Sequence, residues 1–289
     1  MTSTVPATTF TIGGDLTVRR LGFGTMQLTG PGTFGYPADV DNAIAVLRHA
    51  VDRGVNLIDT ADSYGPFVTD DLIRRALHPY ADDLVIATKV GVTRPGPDEW
   101  VPVGRPAYLR QQAELSLRHL GVDHLDLLQL HRVDDEVLLE DQVGELARLQ
   151  EEGKVRHIGL SEVTVDQVRA AGAVTPIASV QNLFNLLTRS AEDVLDHAEA
   201  SGMAFIPWYP LASGGIADQD GALAELARRH DATTSQLALA YLLRRSPSML
   251  PIPGTSSVAH LDQNIGAAAI ELTDDDFALL DQISADKTA

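Results

Sequence analysis

Four side chains in this 289-residue chain pair a reactive group with a telling place. Asp59 ends the apolar run Asn56–Ile58, Lys89 ends Leu84–Thr88, and His131 follows Leu125–Leu130. Tyr64 stands five residues beyond Asp59. A carboxylate, an ammonium, an imidazole and a phenol thus gather where three apolar runs stop, which is an acid–base set. An unpaired charge at such a place is costly, so Asp59 and Lys89 are expected to pair. A cation beside a phenol favours phenolate, which predicts a Tyr64 pKa below the ordinary value of about 10 and a general acid usable near neutral pH. Each residue alone has a plainer use: Asp59 in a turn, Tyr64 in half-buried packing, His131 as a satisfied interior imidazole. Lysine is the least ordinary of the four, because it is rarely placed at the end of an apolar strand without a partner. Jointly, at consecutive strand ends, coincidence is a poor explanation.

The elements that must position them repeat along the chain. Short apolar runs at Leu21–Gly24, Asn56–Ile58, Leu84–Thr88, Leu125–Leu130, Val155–Leu160, Ser179–Val180, Met203–Pro207 and Leu250–Ile252 read as strands. Amphipathic stretches between them, at Val40–Arg53, Asp70–Leu77, Pro106–Leu120, Asp141–Gln150, Val165–Ala171, Ala191–Ala200 and Ser235–Arg244, read as helices. Gly54, Gly121, Gly153 and Gly202 follow helical stretches, where a left-handed cap residue is expected. Eight strands alternating with helices, and no compositional break, predict an α/β fold: one (β/α)8 TIM barrel over residues 1–289. Thr9–Val18, with Gly13-Gly14-Asp15 at its centre, predicts an N-terminal β-hairpin ahead of the barrel. A doubly wound sheet would want a GxGxxG turn after the first strand, and LGFGTMQLTG matches it poorly. Two long Gly/Pro-rich stretches, Thr93–Arg105 and Trp208–Asp220, belong on the C-terminal face, where barrel sites are built.

Composition narrows the function. The chain has no cysteine, which removes disulfides, thiolate nucleophiles and Cys-based metal sites. A formal net charge of −18 repels phosphate backbones and anionic lipid, so no nucleic-acid and no membrane partner is expected. The opening MTSTVPATTF has neither a basic n-region nor an apolar h-region, and no apolar run nears the ~18 residues of a membrane span, so a cytoplasmic location is expected. No metal site is expected either: no His-x-His pair follows the first strand, and His131 and His157 lie on separate strands. A lysine at a barrel strand end also admits Schiff-base chemistry, but that leaves Gln181, Trp208 and the IPGTSS segment without a role.

With these residues in view, the chain resembles the aldo-keto reductase superfamily over nearly its whole length. The resemblance rests on DTADSYG (Asp59–Gly65), TKVG (Lys89), LQLHR (His131), KVRHIGLSE (Lys154–Glu162), VQNLFN (Gln181) and IPGTSSVAHLDQN (Ile252–Asn264). The stretches LGFGTMQLTGPGTFGYP and YGPFVTDDLIRRALHPYADDL look most like the bacterial pyridoxal reductases of that superfamily. The resemblance implies hydride transfer between a nicotinamide cofactor and a small-molecule aldehyde or ketone, pyridoxal being the leading substrate. Tyr64 would be the acid, Lys89 held by Asp59 its modulator, and His131 the group that orients the carbonyl. It implies NADPH as cofactor, with NADH left open, contacted by Gly24, Thr25, Met26, Asp59, Ser161, Gln181, Trp208, Leu211, Ser213, Gly215, Gly254, Thr255, Ser256, His260, Gln263 and Asn264.

Members of the superfamily often carry Asn where Glu162 stands, Lys at Gly254 and Arg at His260. A carboxylate at 162 accepts hydrogen bonds but cannot donate one to an amide oxygen. Loss of both cations leaves backbone N–H groups at the helix start after Ile252 to meet a 2′-phosphate. Phe34, Trp100 and Trp208, with Met26, are candidate walls of an apolar substrate pocket. The superfamily also implies a monomer or weak oligomer, and it includes channel-associated subunits, which makes a cofactor-binding regulatory protein the non-enzymatic alternative.

Overall fold

The computed structural model describes residues 8–217 and 221–285. A two-stranded hairpin, β1 (Thr9–Ile12) and β2 (Leu16–Arg19), precedes β3 (Phe23–Gly24), helix α1 (Val40–Asp52), β4 (Leu57–Asp59), α2 (Val68–Leu77) and β5 (Val85–Val90). After β6 (Val92–Thr93) and β7 (Val101–Pro102) come α3 (Pro106–Leu120), β8 (Leu125–Leu130), α4 (Leu139–Glu151), β9 (Val155–Ser161), α5 (Val165–Gly172) and β10 (Ile177–Gln181). The chain ends through α6 (Glu192–Ala200), β11 (Ala204–Phe205), α7 (Ala222–Arg229), α8 (Thr234–Arg245), α9 (Val258–Gly266) and α10 (Asp274–Ala285). Among the described residues, no helix is long and apolar enough to cross a membrane.

Local chemistry sets these elements. Asp39 caps α1 by accepting from the Asn42 N–H at 2.9 Å, and Ala43, Val46, Leu47 and Ala50 form its buried face. Capping boxes open α5 (Thr164 with Gln167) and α8 (Thr233 with Gln236). Pro106 starts α3, and Gly121 ends it in the left-handed region at φ 72°.

Seven strands form one sheet in the order β11-β10-β9-β8-β5-β4-β3, and the pairings along it are parallel. The eighth stave, expected as a strand at Leu250–Ile252, is not regular. It is nonetheless bonded on both sides: Leu250 N–H donates to Phe205 O at 2.8 Å, Phe205 N–H to Ser248 O at 2.9 Å, and Gly22 N–H to Pro251 O at 2.9 Å. Pro251 and Pro253 have no N–H to give, so the ladder there is broken while the barrel still closes.

Two apolar clusters fill the fold. Most of the buried hydrophobic side chains lie between the strands and the helices. A smaller cluster, with Leu57, Val85, Ala87, Leu127, Ala204, Ile206, Leu250 and Ile252, fills the barrel interior. Ile12, Leu16 and Val18 of the hairpin join that cluster and close its lower end. Asp15 at the hairpin turn accepts from His157 (2.5 Å) and Arg156 (3.0 Å) of β9. Gly13 sits against the His157 ring, where a Cβ would come within 2.2 Å, and its φ of 62° adds a second reason for glycine. Asn56 ties the hairpin to the strands by accepting from Arg19 N–H and donating to Thr17 O and Asp83 O. With the lower end sealed, the upper ends of the strands are left for a site.

The long stretch after β5 is more ordered than a loop. β6 and β7 pair antiparallel, Val92 with Pro102 and Thr93 with Val101, and lift Trp100 over the barrel mouth. Arg94 fixes this arm. Its guanidinium lies 3.5 Å from the Trp100 ring centroid and donates to the carbonyls of Gly32, Thr33, Ser63 and Glu99.

Candidate active site

Asp59 is the last residue of β4, Lys89 the penultimate residue of β5, and His131 follows β8 directly. Asp59 and Lys89 are buried, at 2% and 0% exposure, which puts the charge of each at the mercy of the other. An ammonium has three protons, and here each has an acceptor. Lys89 Nζ donates to Asp59 Oδ1 at 2.6 Å, to Thr60 O at 2.9 Å and to Tyr64 Oη at 3.4 Å. The second Asp59 oxygen accepts from Gln181 Nε2 at 2.8 Å and from Gln129 Nε2 at 3.5 Å. Burial alone would push the Lys89 pKa down, but Asp59 and then Tyr64 hold it above the ordinary lysine value.

Tyr64 departs from expectation. Burial drives its phenol pKa up, Lys89 pulls it down, and the net direction is upward. Burial is the largest cause: the Lys89 ammonium, 3.4 Å from the phenol, offsets only part of it, and the Asp59 carboxylate, 2.6 Å from that ammonium, adds its own opposition to phenolate. Tyr64 therefore keeps its proton at neutral pH. A protonated phenol with an ammonium at its oxygen is still an acid. Its conjugate base has a cation waiting for it.

His131 goes the other way. Burial, with the positive charges of Lys89, Arg132 and Arg94, holds its pKa well below the ordinary histidine value, so it is neutral. Its Nδ1 lies 3.1 Å from Ser63 Oγ. A neutral imidazole that accepts the Ser63 hydroxyl there keeps its one proton on Nε2, ready to donate. The rings of Tyr64, His131 and Trp100 stand edge to face, with centroids 6.0 to 6.3 Å apart.

These groups open onto a cleft of about 1040 Å³. Asp59, Tyr64, Trp100, His131, Ser161, Gln181 and Trp208 are among the residues that line it, as are Gly24, Met26, Leu211, Gly254, Thr255, Ser256, His260, Gln263 and Asn264. Three residues singled out from the sequence are not in its wall. Thr25 is buried and donates its hydroxyl to Asp59 O at 2.9 Å, so it braces the end of β4. Phe34 lies one layer back, paired with Gly65 and facing the Arg94 guanidinium at 6.0 Å, because the Arg94 clamp holds that segment behind Trp100. Gly215 ends the short 3-10 turn Ala212–Gly214, whose Gly214 does reach the cleft. The Ser213 side chain lies outside the described residues, as does the Asp218–Asp220 end of the stretch expected as a loop.

The far end of the cleft suits a phosphate-bearing ligand. A Cβ on Gly24 would meet Ile252 O at 2.7 Å, and one on Gly254 would meet Gly24 O at 2.6 Å, so two bare backbones form the floor. Beyond them α9 begins, with Ser257 Oγ accepting the His260 N–H at 3.4 Å. Helix N-termini of this kind receive anions.

Several participants escaped the sequence reading. Arg132 lines the cleft beside His131, and the same strand-end rule would have found it one residue on. Gln129 lies two residues before His131, on the same face of β8, and period-two alternation would have flagged it. Ser63 and Arg94 carried no signal, because their roles depend on the β6–β7 arm. Glu162 does not line the cleft; its Oε1 accepts from Leu183 N–H and Trp208 Nε1–H, each at 2.6 Å.

Comparison with known proteins places this geometry. The profile of the Aldo/keto reductase family matches residues 20–285. An uncharacterised oxidoreductase of Schizosaccharomyces pombe is 51% identical over 269 residues, 93% of this chain and 88% of its own. Pyridoxine 4-dehydrogenase of Escherichia coli is 45% identical over 283 residues, covering 96% of this chain and 98% of its own. Among solved structures, an aldo-keto reductase from Klebsiella pneumoniae in complex with NADPH superposes with a TM-score of 0.83 at 27% identity, over 98% of this chain and 96% of that one. A closed parallel barrel, an Asp–Lys–Tyr–His set at its mouth and a family match spanning the barrel agree: the chain belongs to the aldo/keto reductase family and is an oxidoreductase.

Proposed function

We propose that the protein reduces an aldehyde or ketone to the alcohol, reversibly, with NADPH as hydride donor, Tyr64 as general acid and pyridoxal as its specific substrate. The observation that carries this reading is the protonated Tyr64 phenol, 3.4 Å from Lys89 and flanked by His131 and Trp100 on the cleft wall. A reduced nicotinamide supplies the hydride when bound. The protein does the rest. Burial keeps a proton on Tyr64 Oη until oxyanion charge develops next to it, and Lys89 then favours the phenolate left behind. Neutral His131 donates from Nε2 to the same oxygen, which fixes the carbonyl relative to Tyr64. Asp59 holds Lys89 charged and in place.

Ser161, Gln181 and Trp208 would hold the nicotinamide, the Leu211–Gly215 turn, through Leu211 and Gly214, would meet the pyrophosphate, and Gly254–Ser256, His260, Gln263 and Asn264 would meet the adenosine phosphate. NADPH is favoured over NADH by the phosphate-suited start of α9 and by the NADPH held in the Klebsiella pneumoniae structure. Pyridoxal is favoured by the Escherichia coli relative named for pyridoxine and by the planar walls that Trp100 and Trp208 offer a flat ring.

The test is loss of nicotinamide absorbance with purified protein, NADPH and NADH run separately against pyridoxal and a simple aromatic aldehyde. Oxidation of NADPH with pyridoxal well above the simple aldehyde is the expected result. Turnover of the simple aldehyde alone would replace pyridoxal by a broad carbonyl specificity. Tight NADPH binding without turnover of either would overturn the enzyme in favour of a nicotinamide-binding regulatory subunit.

A further inference from the structure

Glu162 sits just past the end of β9 in a left-handed conformation, φ 54°, which a residue with a side chain adopts only when its surroundings insist. Its N–H continues the ladder to Gln181 O at 3.0 Å. One of its carboxylate oxygens takes two short bonds, from Leu183 N–H and from the Trp208 indole N–H. The indole so fixed lies 5.6 Å from the Arg132 guanidinium, and Arg132 in turn donates to His131 O at 2.7 Å and to Ser161 Oγ at 3.2 Å. Burial lowers the Arg132 pKa, and the negative charge of Glu162 opposes that shift. Trp208, Arg132 and Ser161 all line the cleft; Glu162 stands behind them.

We infer that Glu162 is a positioning residue for the cofactor: through Trp208 and Arg132 it sets the wall that reads the nicotinamide carboxamide, and residue 162 itself does not touch that group. The inference rests on the cofactor reading above. A primary amide needs one donor for its oxygen and one acceptor for its NH2. Ser161, accepting from Arg132, has its hydroxyl proton left to donate. Gln181 must turn its NH2 towards Asp59, which only accepts, so its Oε1 is the acceptor left for the cleft. Arg132 and Ser161 thus supply the donation that a carboxylate at 162 cannot.

The experiment compares Glu162→Ala and Glu162→Gln for NADPH dissociation constant, carbonyl KM, kcat and tryptophan emission, the last in a Trp100→Phe background so that Trp208 alone reports. Glu162→Ala leaves the indole and Leu183 N–H groups without their acceptor. It is expected to weaken NADPH about tenfold, the scale of one charge-assisted bond, and to shift Trp208 emission, with carbonyl KM changing less. Glu162→Gln keeps an acceptor oxygen and should restore most of the affinity. Arg132→Met removes the guanidinium 5.6 Å from the indole, so it should weaken NADPH and also shift Trp208 emission. If Glu162→Ala proves unstable, Glu162→Asp, one methylene short of the indole, is expected to fall between Ala and wild type. A purely structural role would lower the melting temperature and the active fraction but leave the NADPH affinity of the folded fraction unchanged, and that outcome overturns the inference. Wild-type protein that fails to bind NADPH would instead overturn the cofactor reading.

Discussion

The two ends of the cleft hold charge by opposite means. At the reactive end, Asp59, Lys89 and His131 are side chains buried at the tops of β4, β5 and β8, each satisfied by another buried group. At the far end, Gly254, Thr255, Ser256 and His260 lie half-buried or exposed on the segment leading into α9, and what they present is mostly backbone. A buried charge set costs desolvation and repays it in fixed geometry, which proton transfer needs. A backbone cradle costs little and tolerates water, which suffices for holding a phosphate. In a chain of net charge −18, a cradle without side-chain cations leaves the helix start to offset the repulsion of an anionic ligand. Substitutions at the two ends should therefore fail in different observables.

The sharpest separation is Tyr64→Phe. The variant keeps the ring, and so its edge contacts with Trp100 and His131, and removes only the hydroxyl, which is the proton donor and the most distant of the three Lys89 acceptors. Turnover should fall by ~10²–10⁴, the usual worth of general acid catalysis, with the NADPH dissociation constant nearly unchanged. Comparable losses in both would mean that the ends are not independent.

Lys89→Met comes next. It leaves Asp59 buried with two amide donors and no cation, for which the expected cost is about 3–5 kcal/mol in urea unfolding. Asp59→Asn in the same chain should recover part of that loss, since the stranded charge is then gone. Ser256→Ala at the far end should cost under about 0.5 kcal/mol, as surface changes usually do. Similar costs at both sites would remove the contrast between a buried and an exposed design.

A third change probes the packing behind the reactive end. Asp70, fully buried at the start of α2, accepts from Thr60 at 3.0 Å, and burial raises its pKa to about 7. With the folded pKa above the unfolded one, the native state binds more protons between about pH 4 and 7. Its stabilising contribution is complete below the unfolded value and is lost as pH rises through about 7. Asp70→Asn keeps an acceptor for Thr60 and has no charge to bury. Relative to wild type it should gain stability progressively from pH 4 to pH 8, by on the order of 4 kcal/mol at the top. His131, neutral when folded, contributes the opposite slope near its unfolded pKa of about 6.5, and taking the difference between variant and wild type cancels it. A difference flat with pH would show Asp70 ionised throughout.

The contrast between the ends also explains what was legible beforehand. Asp59, Lys89 and His131 could be read from the chain because each interrupts an apolar run, and a charged residue there must face the barrel mouth. The strands and most helices followed from the same alternation. The direction of the Tyr64 pKa did not follow, because it depends on how deeply the phenol is buried and on a carboxylate standing 2.6 Å from the ammonium that is itself 3.4 Å from the phenol. The Arg94 clamp and the role of Glu162 were hidden for a related reason: both act through partners distant in sequence, Arg94 through Gly32, Thr33 and Ser63, Glu162 through Leu183 and Trp208. The eighth stave looked regular because its apolar residues alternate, while its two prolines withhold the donors a ladder needs.

The smallest effect belongs to the exposed end and tests whether it is a phosphate seat at all. His260 lies in the first turn of α9, its N–H given to Ser257 Oγ and its side chain on the cleft. His260→Arg leaves that backbone bond intact and adds a permanent cation. A guanidinium at the 2′-phosphate gains a charge-assisted pair that NADH cannot make, so NADPH should tighten several-fold more than NADH, up to about tenfold. Adding one positive charge to a strongly acidic protein also draws in any anionic dinucleotide, but that long-range gain is shared by both cofactors and fades with salt. The ratio of the two affinities at moderate ionic strength isolates the local contact. A ratio that does not move would place the 2′-phosphate away from the start of α9, and the division of the cleft into a side-chain end and a backbone end would then lose its second half.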